Sequence, residues 1–204
     1  MGKVSIDAIE ALRTRRSVRH FRPDAVPRET LEELIAEACC APSPHGTRPW
    51  RFAVVTTPQG KRALAADMGE RWAADLRGDG VAEEQIARYV TRSHRRIEGS
   101  PAVIVACLVK DVLDRYPDEH RQAAEYTMGA HSLGAALENV LLGAHARGLA
   151  GFWMCAPVFC PTVARDALQL DPSWEPQALI LLGYPREAPP AREARSVESM
   201  RVFR

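Results

Sequence analysis

The chain has 204 residues, 46% of them apolar, which is enough for one sizeable domain with a real core and excludes global disorder. Its 27 Lys+Arg against 26 Asp+Glu give a net charge of +1, so no general pull toward nucleic acid or an anionic membrane is expected. Five cysteines without CxxC or Cys/His spacing argue against a zinc or disulfide framework. With no signal-peptide core and no bilayer-length apolar run, they fit a cytoplasmic protein with reduced thiols.

In chain order, Ser5 can cap a first helix with Ile6, Ile9 and Leu12 on one face. The basic stretch Arg15-Arg16-Ser17-Val18-Arg19-His20-Phe21 follows directly. Arginine forks match phosphate oxygens in pairs and a serine hydroxyl adds a donor, so the stretch suits a phosphate. Taken alone it also fits a solvated helix C-terminus, where positive charge suits the macrodipole. A second helix is expected over 28–40, with Leu31, Leu34, Ile35 and Ala38 buried and Glu29, Glu32 and Glu33 in water. Pro42 and Pro44 end it and open a stiff loop, Ala41-Pro42-Ser43-Pro44-His45-Gly46-Thr47-Arg48-Pro49-Trp50.

A strand over 51–57 and a helix over 58–76 come next. The arginine-rich stretch around 77–100 reads as a lid-like insert rather than core, with His94, Arg95 and Arg96 on a solvated face. The near-continuous apolar run 101–109 predicts a strand buried on both faces. The longest helix is expected over 119–147 and ends at Gly148. Its small residues, among them Gly129, Ser132, Gly134 and Ala136, permit close packing at the core centre or across a dimer interface. His131 on this helix fits a satisfied interior histidine. A short strand over 152–155, a helix over 161–170 and a buried strand over 178–182 complete the core, stopped by Gly183-Tyr184-Pro185. Cys155 and Cys160 read as small buried residues. The polar tail, 186–204, cannot pack a core and must lie along something else or be disordered. No linker splits the chain. The expected class is a single α+β domain with a central mixed sheet flanked by helices.

No GxGxxG follows a strand, and neither GxxxxGK[ST] nor GxSxG occurs. The sequence thus offers phosphate-sized anion binding without an evident nucleophile or metal site, and no residue is assigned a catalytic role. That pattern suits a cofactor that brings its own reactivity.

The basic stretch resembles the RRSxRxF opening of the nitroreductase family. Ala41-Pro42-Ser43 with Pro49-Trp50 resembles its APSxxNxQPW loop, Gly148 to Trp153 its GLGxxW segment, and Gly183-Tyr184-Pro185 its late GYP. The four motifs stand in family order over nearly the whole chain. The resemblance implies an obligate homodimer holding FMN at the subunit interface. Arg15, Arg16, Ser17 and Arg19 would hold the phosphate and ribityl, with Arg19 also near the flavin N1/C2 carbonyl. Pro42, Ser43 and Pro44 would come from the other subunit. Met154, Cys155 and Ala156 would line the ring near N5, and Arg192 or Arg195 would close on the phosphate.

The loop departs from the family form by carrying Gly46 and Arg48 where Asn and Gln are common. In this it is similar to the flavin-binding C-terminal domain of the coenzyme F420 gamma-glutamyl ligase. Asp75-Leu76 with Asp79-Gly80, Tyr116-Pro117-Asp118, Glu125 with Thr127-Met128, and Trp174-Glu175-Pro176 extend that similarity. It implies reduction of a deazaflavin precursor such as dehydro-F420-0 by a stand-alone domain, with His45 and Arg48 binding the anionic substrate. Three other readings stay open. They are a general NAD(P)H-dependent nitro or quinone reductase, a non-enzymatic flavin or F420 carrier, and a flavin-consuming enzyme.

Overall fold

The apolar run Ala102–Val109 forms a strand buried at every position, and the rest of the chain is built on its two faces. A computed structural model describes residues 6–191 and 196–204. In chain order the main elements are α1 (Ala8–Thr14), α2 (Arg28–Ala38), β1 (Trp50–Val55), α3 (Pro58–Gly78), α4 (Glu83–Glu98), β2 (Ala102–Val109), α5 (Glu119–Ala146), β3 (Ala150–Met154), α6 (Pro161–Ala167) and β4 (Trp174–Gly183). Element ends fall close to where periodicity, prolines and glycines put them. The N-cap of α1 is Asp7, whose carboxylate accepts from the Glu10 N–H; Ser5 lies outside the described residues.

The strands run β1-β2-β4-β3, each pair antiparallel. The sheet is therefore less mixed than expected. One long helix, α5, separates β2 from β3, so these two strands point the same way, but β4 inserts between them antiparallel to both. Among the described residues the parallel component is a single bridge, Ser17 to Gly151. β4 begins four residues before the expected start because its ladder continues past Pro176. A register shift between Ala106 and Cys107 skips Gln177, so that Pro176, which has no N–H to donate, pairs opposite Cys107.

Side chains alternate across a strand, so β2 and β4 divide their residues between two cores. Ile104, Ala106, Leu108, Ile180 and Leu182 meet α2 and α5, whereas Val103, Val105, Cys107, Leu179 and Leu181 meet α3, α6 and the end of α4. Glycine lets these layers close. A Cβ on Gly129 would stand 3.1 Å from Leu113 and 3.2 Å from Leu108.

Three expectations need correction, and one open alternative is decided. Ile9 and Leu12 remain 55% and 51% exposed, because α1 contacts α5 through its opposite side, where Ala11 is buried. Gly129, Ser132 and Ala136 are buried within this chain, so that part of the small-residue stripe serves the core centre. The 77–100 stretch includes core, since Ile97 is buried among α3 and β2 residues. His131 is exposed, because it falls on the outer face of α5. No helix among the described residues is long and apolar enough to cross a membrane.

Gly183 ends β4 where a Cβ would meet the Pro101 ring at 2.6 and 2.8 Å, and a proline ring cannot swing aside. Gly183→Ala should therefore cost about 1–3 kcal/mol, a fall of roughly 2–12 °C in thermal midpoint. Gly78→Ala, where a Cβ meets nothing within 4 Å, is the control and should leave the midpoint level or higher. Equal midpoints for the two variants would refute the close packing at Gly183.

Candidate functional site

The basic turn is positioned by the free edge of the sheet. Helix α1 ends because Arg15 leaves the helical region, at φ −54 and ψ 137. Val18 N–H then donates to the Gly151 carbonyl at 3.1 Å, and Phe21 bridges to Pro185. Arg22 N–H donates to the Tyr184 carbonyl and Arg186 N–H to the His20 carbonyl. Residues 17–22 thus lie along β3 and then along the chain leaving β4. Gly151 lets this part of β3 lie close on α5, since a Cβ there would stand 2.4 Å from Leu141.

The arginines spread from that anchor. Arg15 Nε donates to Glu138 of α5 at 3.1 Å; a guanidinium has five N–H donors, and this contact uses one. Arg16 Nε donates to the Pro190 carbonyl and its Nη1 to the Arg15 carbonyl. The Arg19 guanidinium lies 4.3 Å from the centroid of the Phe152 ring, and that of Arg96 lies 5.6 Å from the same ring. Burial, with Arg92 and Arg19 close by, pushes the Arg96 guanidinium below its ordinary value, though arginine stays charged in proteins.

Three adjoining cavities follow this line of cations. Ser17, Arg19, Arg186 and Pro190 line one of about 530 Å³. Arg19, His20, Arg88, Arg92, Arg95 and Arg96 line the next, about 730 Å³, with Glu84 as the one acid in its wall among the described residues. Arg92 and Arg96 also border the third, about 410 Å³, which is largely apolar. Trp72, Tyr89, Met154, Ala156 and Phe159 line it, and the Trp72 and Tyr89 rings stack at 5.9 Å. Met154 and Ala156 therefore stand at one end of the same path that Ser17 and Arg19 begin. Cys155 between them is exposed rather than buried, because it follows the end of β3 and faces outward; Cys160 is buried as expected.

The proline-rich loop lies elsewhere on the chain. Pro44–Gly46 forms one tight turn with His45 at φ 54 and Arg48 at φ 48. Thr47 Oγ1 donates to the Pro44 carbonyl and Arg48 N–H to Ser43 Oγ, which hold this shape. The turn packs against α5 and brings His45 Nε2 to 3.7 Å from Asp114 Oδ2 and 3.8 Å from Glu125 Oε2. Arg48 is exposed. Glu125 and the Arg15 partner Glu138 are separated by about 20 Å along α5, at 1.5 Å per residue. A single chain thus does not join Pro42, Ser43, Pro44, His45 and Arg48 to the basic turn. Arg192 and Arg195 lie outside the described residues.

The arginine-rich stretch is expected from the sequence, but not which of its residues act together: Arg88, Arg92, Arg95 and Arg96 share one face of α4, at a spacing of four, seven and eight. A second group is not expected from the sequence at all. Asp114 and Glu125 join His45, and the signal was a carboxylate on the otherwise buried stripe of α5. His94, expected in solvent, packs its Nε2 against α3, where a Cβ on Gly69 would stand 2.2 Å away.

Comparison with known proteins gives a consistent family. The model of the nitroreductase family matches residues 12–184. The 5,6-dimethylbenzimidazole synthase of Rhodospirillum rubrum is 31% identical over 191 residues, which cover 92% of this chain and 86% of that protein. The structure of a BluB-like flavoprotein from Clostridium difficile superposes with a TM-score of 0.75 at 18% identity, over 98% of this chain and 99% of that one. A protein from Desulfovibrio desulfuricans, described as a nitroreductase in complex with FMN, superposes at 0.73 with 22% identity and 98% coverage of both chains. The match over most of the chain shows that this protein belongs to the nitroreductase family.

Proposed function

We propose that the protein is an FMN-dependent oxidoreductase that reduces an anionic, aromatic substrate, a deazaflavin intermediate such as dehydro-F420-0. The observation that carries this reading is the run of adjoining cavities, with a phosphate-type donor set at one end, an arginine groove in the middle and an apolar cavity at the other.

The residues present suit FMN. Arg15, Arg16, Ser17 and Arg19 offer guanidinium forks and a hydroxyl to a phosphoryl group. Arg186 lines the same cavity as Ser17 and Arg19 and adds a further guanidinium there. Bound FMN would supply hydride and electron transfer through its ring. Arg19, a permanent cation, would favour negative charge developing on that ring. Met154, Cys155 and Ala156 would line it, and the family resemblance adds Arg192 or Arg195, which lie outside the described residues, at the phosphate.

The homodimer belongs to this reading. The exposed side chains of Ile9, Leu12 and Met128 offer apolar surface for a second copy. That copy would supply Pro42, Ser43 and Pro44. The substrate class follows from charge. Deazaflavins of this type carry a phosphodiester and carboxylates, which the face formed by Arg88, Arg92 and Arg95 can pair with. Trp72 and Tyr89 can receive the aromatic body, with His45 and Arg48 as further anion contacts.

A second reading, an enzyme that consumes its flavin, is favoured by the 31% identity to a 5,6-dimethylbenzimidazole synthase. Anaerobic reduction followed by exposure to air separates the two. The flavin spectrum returns in full for a reductase and is lost for a flavin-consuming enzyme.

Arg15→Ala should weaken FMN by roughly ten- to hundredfold, the loss of about 1.5–3 kcal/mol from one hydrogen-bonded charge. Glu138→Gln, which removes only the carboxylate that Arg15 pairs with, should weaken it less. Equal losses measured by fluorescence titration would mean that Arg15 serves only to hold α1 on α5.

The double variant Arg92→Gln/Arg95→Gln tests the substrate. F420 affinity should fall by roughly tenfold or more. FMN content and the turnover of a small neutral quinone should stay near wild type. Should wild-type protein bind FMN but no F420, a general NAD(P)H-dependent reductase becomes the better reading.

A further inference from the structure

We propose that His45, Asp114 and Glu125 form a binding site for a divalent transition-metal ion of the zinc class, apart from the basic turn of the same chain. Three ligand atoms, His45 Nε2, Asp114 Oδ2 and Glu125 Oε2, lie within 4.8 Å of one another. Two ligands at about 2.0–2.2 Å from a tetrahedral zinc stand roughly 3.3–3.6 Å apart. The observed 3.7 and 3.8 Å from His45 need a closure of only a few tenths of an ångström.

The independent observation is Glu125. Its side chain is 0% exposed, and Oε2 has no hydrogen-bond partner among the described residues. Its other oxygen accepts one long bond, 3.4 Å, from the Asp114 N–H. A buried carboxylate so poorly partnered is costly, and 3.8 Å to an imidazole nitrogen is too long for a hydrogen bond. A cation between the three atoms removes that cost.

The fold holds the three in place without it. Gly129 lets Leu113 lie on α5, which lands Asp114 one helical turn from that glycine, beside Glu125. Gln122 ties the same segment down through the Tyr116 N–H and the Asp114 carbonyl. His45 is aimed at both carboxylates by the left-handed turn that follows Pro44. One imidazole and two carboxylates favour zinc, manganese or iron over magnesium or calcium, which prefer all-oxygen sites. His45 and Asp114 are half exposed, so the remaining coordination positions face solvent and are open to water or an anionic group.

The test uses the full chain after chelator treatment, with Zn²⁺ in equilibrium dialysis and Co²⁺ for spectroscopy. Wild type should take up one equivalent of Zn²⁺, far more tightly than Mg²⁺, with a Co²⁺ spectrum lacking thiolate charge-transfer bands. Glu125→Gln, Asp114→Asn and His45→Ala should each weaken binding by about tenfold or more, since even outer partners of a metal ligand are worth that much. The exposed Asp114 and His45 variants decide the matter if Glu125→Gln does not fold. No uptake by wild type would leave a bridging water as the partner of Glu125 and overturn the proposal. Uptake unchanged in the variants, or thiolate bands in the Co²⁺ spectrum, would overturn it equally by assigning the metal to cysteines.

Discussion

One backbone hydrogen bond, from the Val18 N–H to the Gly151 carbonyl, decides where the arginines of the basic turn stand. β3 is an edge strand, and an uncovered edge is a template for unwanted pairing. Residues 17–22 cover part of it. Arg19, two residues past the bridge, carries its guanidinium to the Phe152 ring. Arg15, before the bridge, reaches Glu138 of α5. Without the bridge nothing in the backbone would fix where the turn between them stands. The strand that accepts this bond lies close on α5, where a Cβ on Gly151 would press on Leu141. The site is thus anchored in core packing, and its charges are consequences of that anchor.

The near-zero net charge hides a strong local separation. Arg28, Arg71 and Arg77 face carboxylates close in sequence, and such exposed pairs contribute little. On α4, by contrast, four arginines line one cavity wall with a single glutamate among them. Like charges at this spacing repel on an isolated helix. α4 tolerates them because its opposite side is secured: Ile86 and Ile97 are buried, Tyr89 stacks on Trp72, and Gly69 lets His94 close against α3. A stripe of charge held on a packed helix is a better binding face than the same residues on a loop. The lid-like character expected of this stretch is hard to reconcile with so many fixed contacts, and a groove wall describes it better.

Most of the fold was legible because its signals are local. The run 102–109 is apolar at every position, Pro58 and Pro161 open helices, and Gly148 adopts the positive φ of a helix end. The misreadings share a cause, which is that they turn on what lies opposite in space. The stripe of Ile9 and Leu12 looks like a core face, yet Ala11 makes the contact. His131 is exposed because it stands on the outer face of α5, whereas His94 is packed because Gly69 leaves it room against α3. The strand expected over 178–182 begins at Trp174, because a register shift lets its ladder run past Pro176. At the site, the ordered motifs made the basic turn legible. The meeting of His45 with Asp114 and Glu125 joins residues more than sixty positions apart, and no spacing rule announces it.

The long helix α5 links these features and sets a condition on the proposed activity. It carries Glu125 near one end and Glu138 about 20 Å further on, and each is tied to a different candidate cluster. The loop that the family resemblance assigns to the cofactor sits at the first, whereas the basic turn sits at the second. A rigid helix keeps them apart in one chain. If both serve one flavin, the loop must act on the partner's turn, and assembly and cofactor binding become linked by mass action. Flavin would then stabilise the dimer by the same free energy with which the dimer tightens the flavin. The apolar residues left exposed on α1 and α5 are what such a linkage needs, since they give a second copy something to bury before any cofactor arrives.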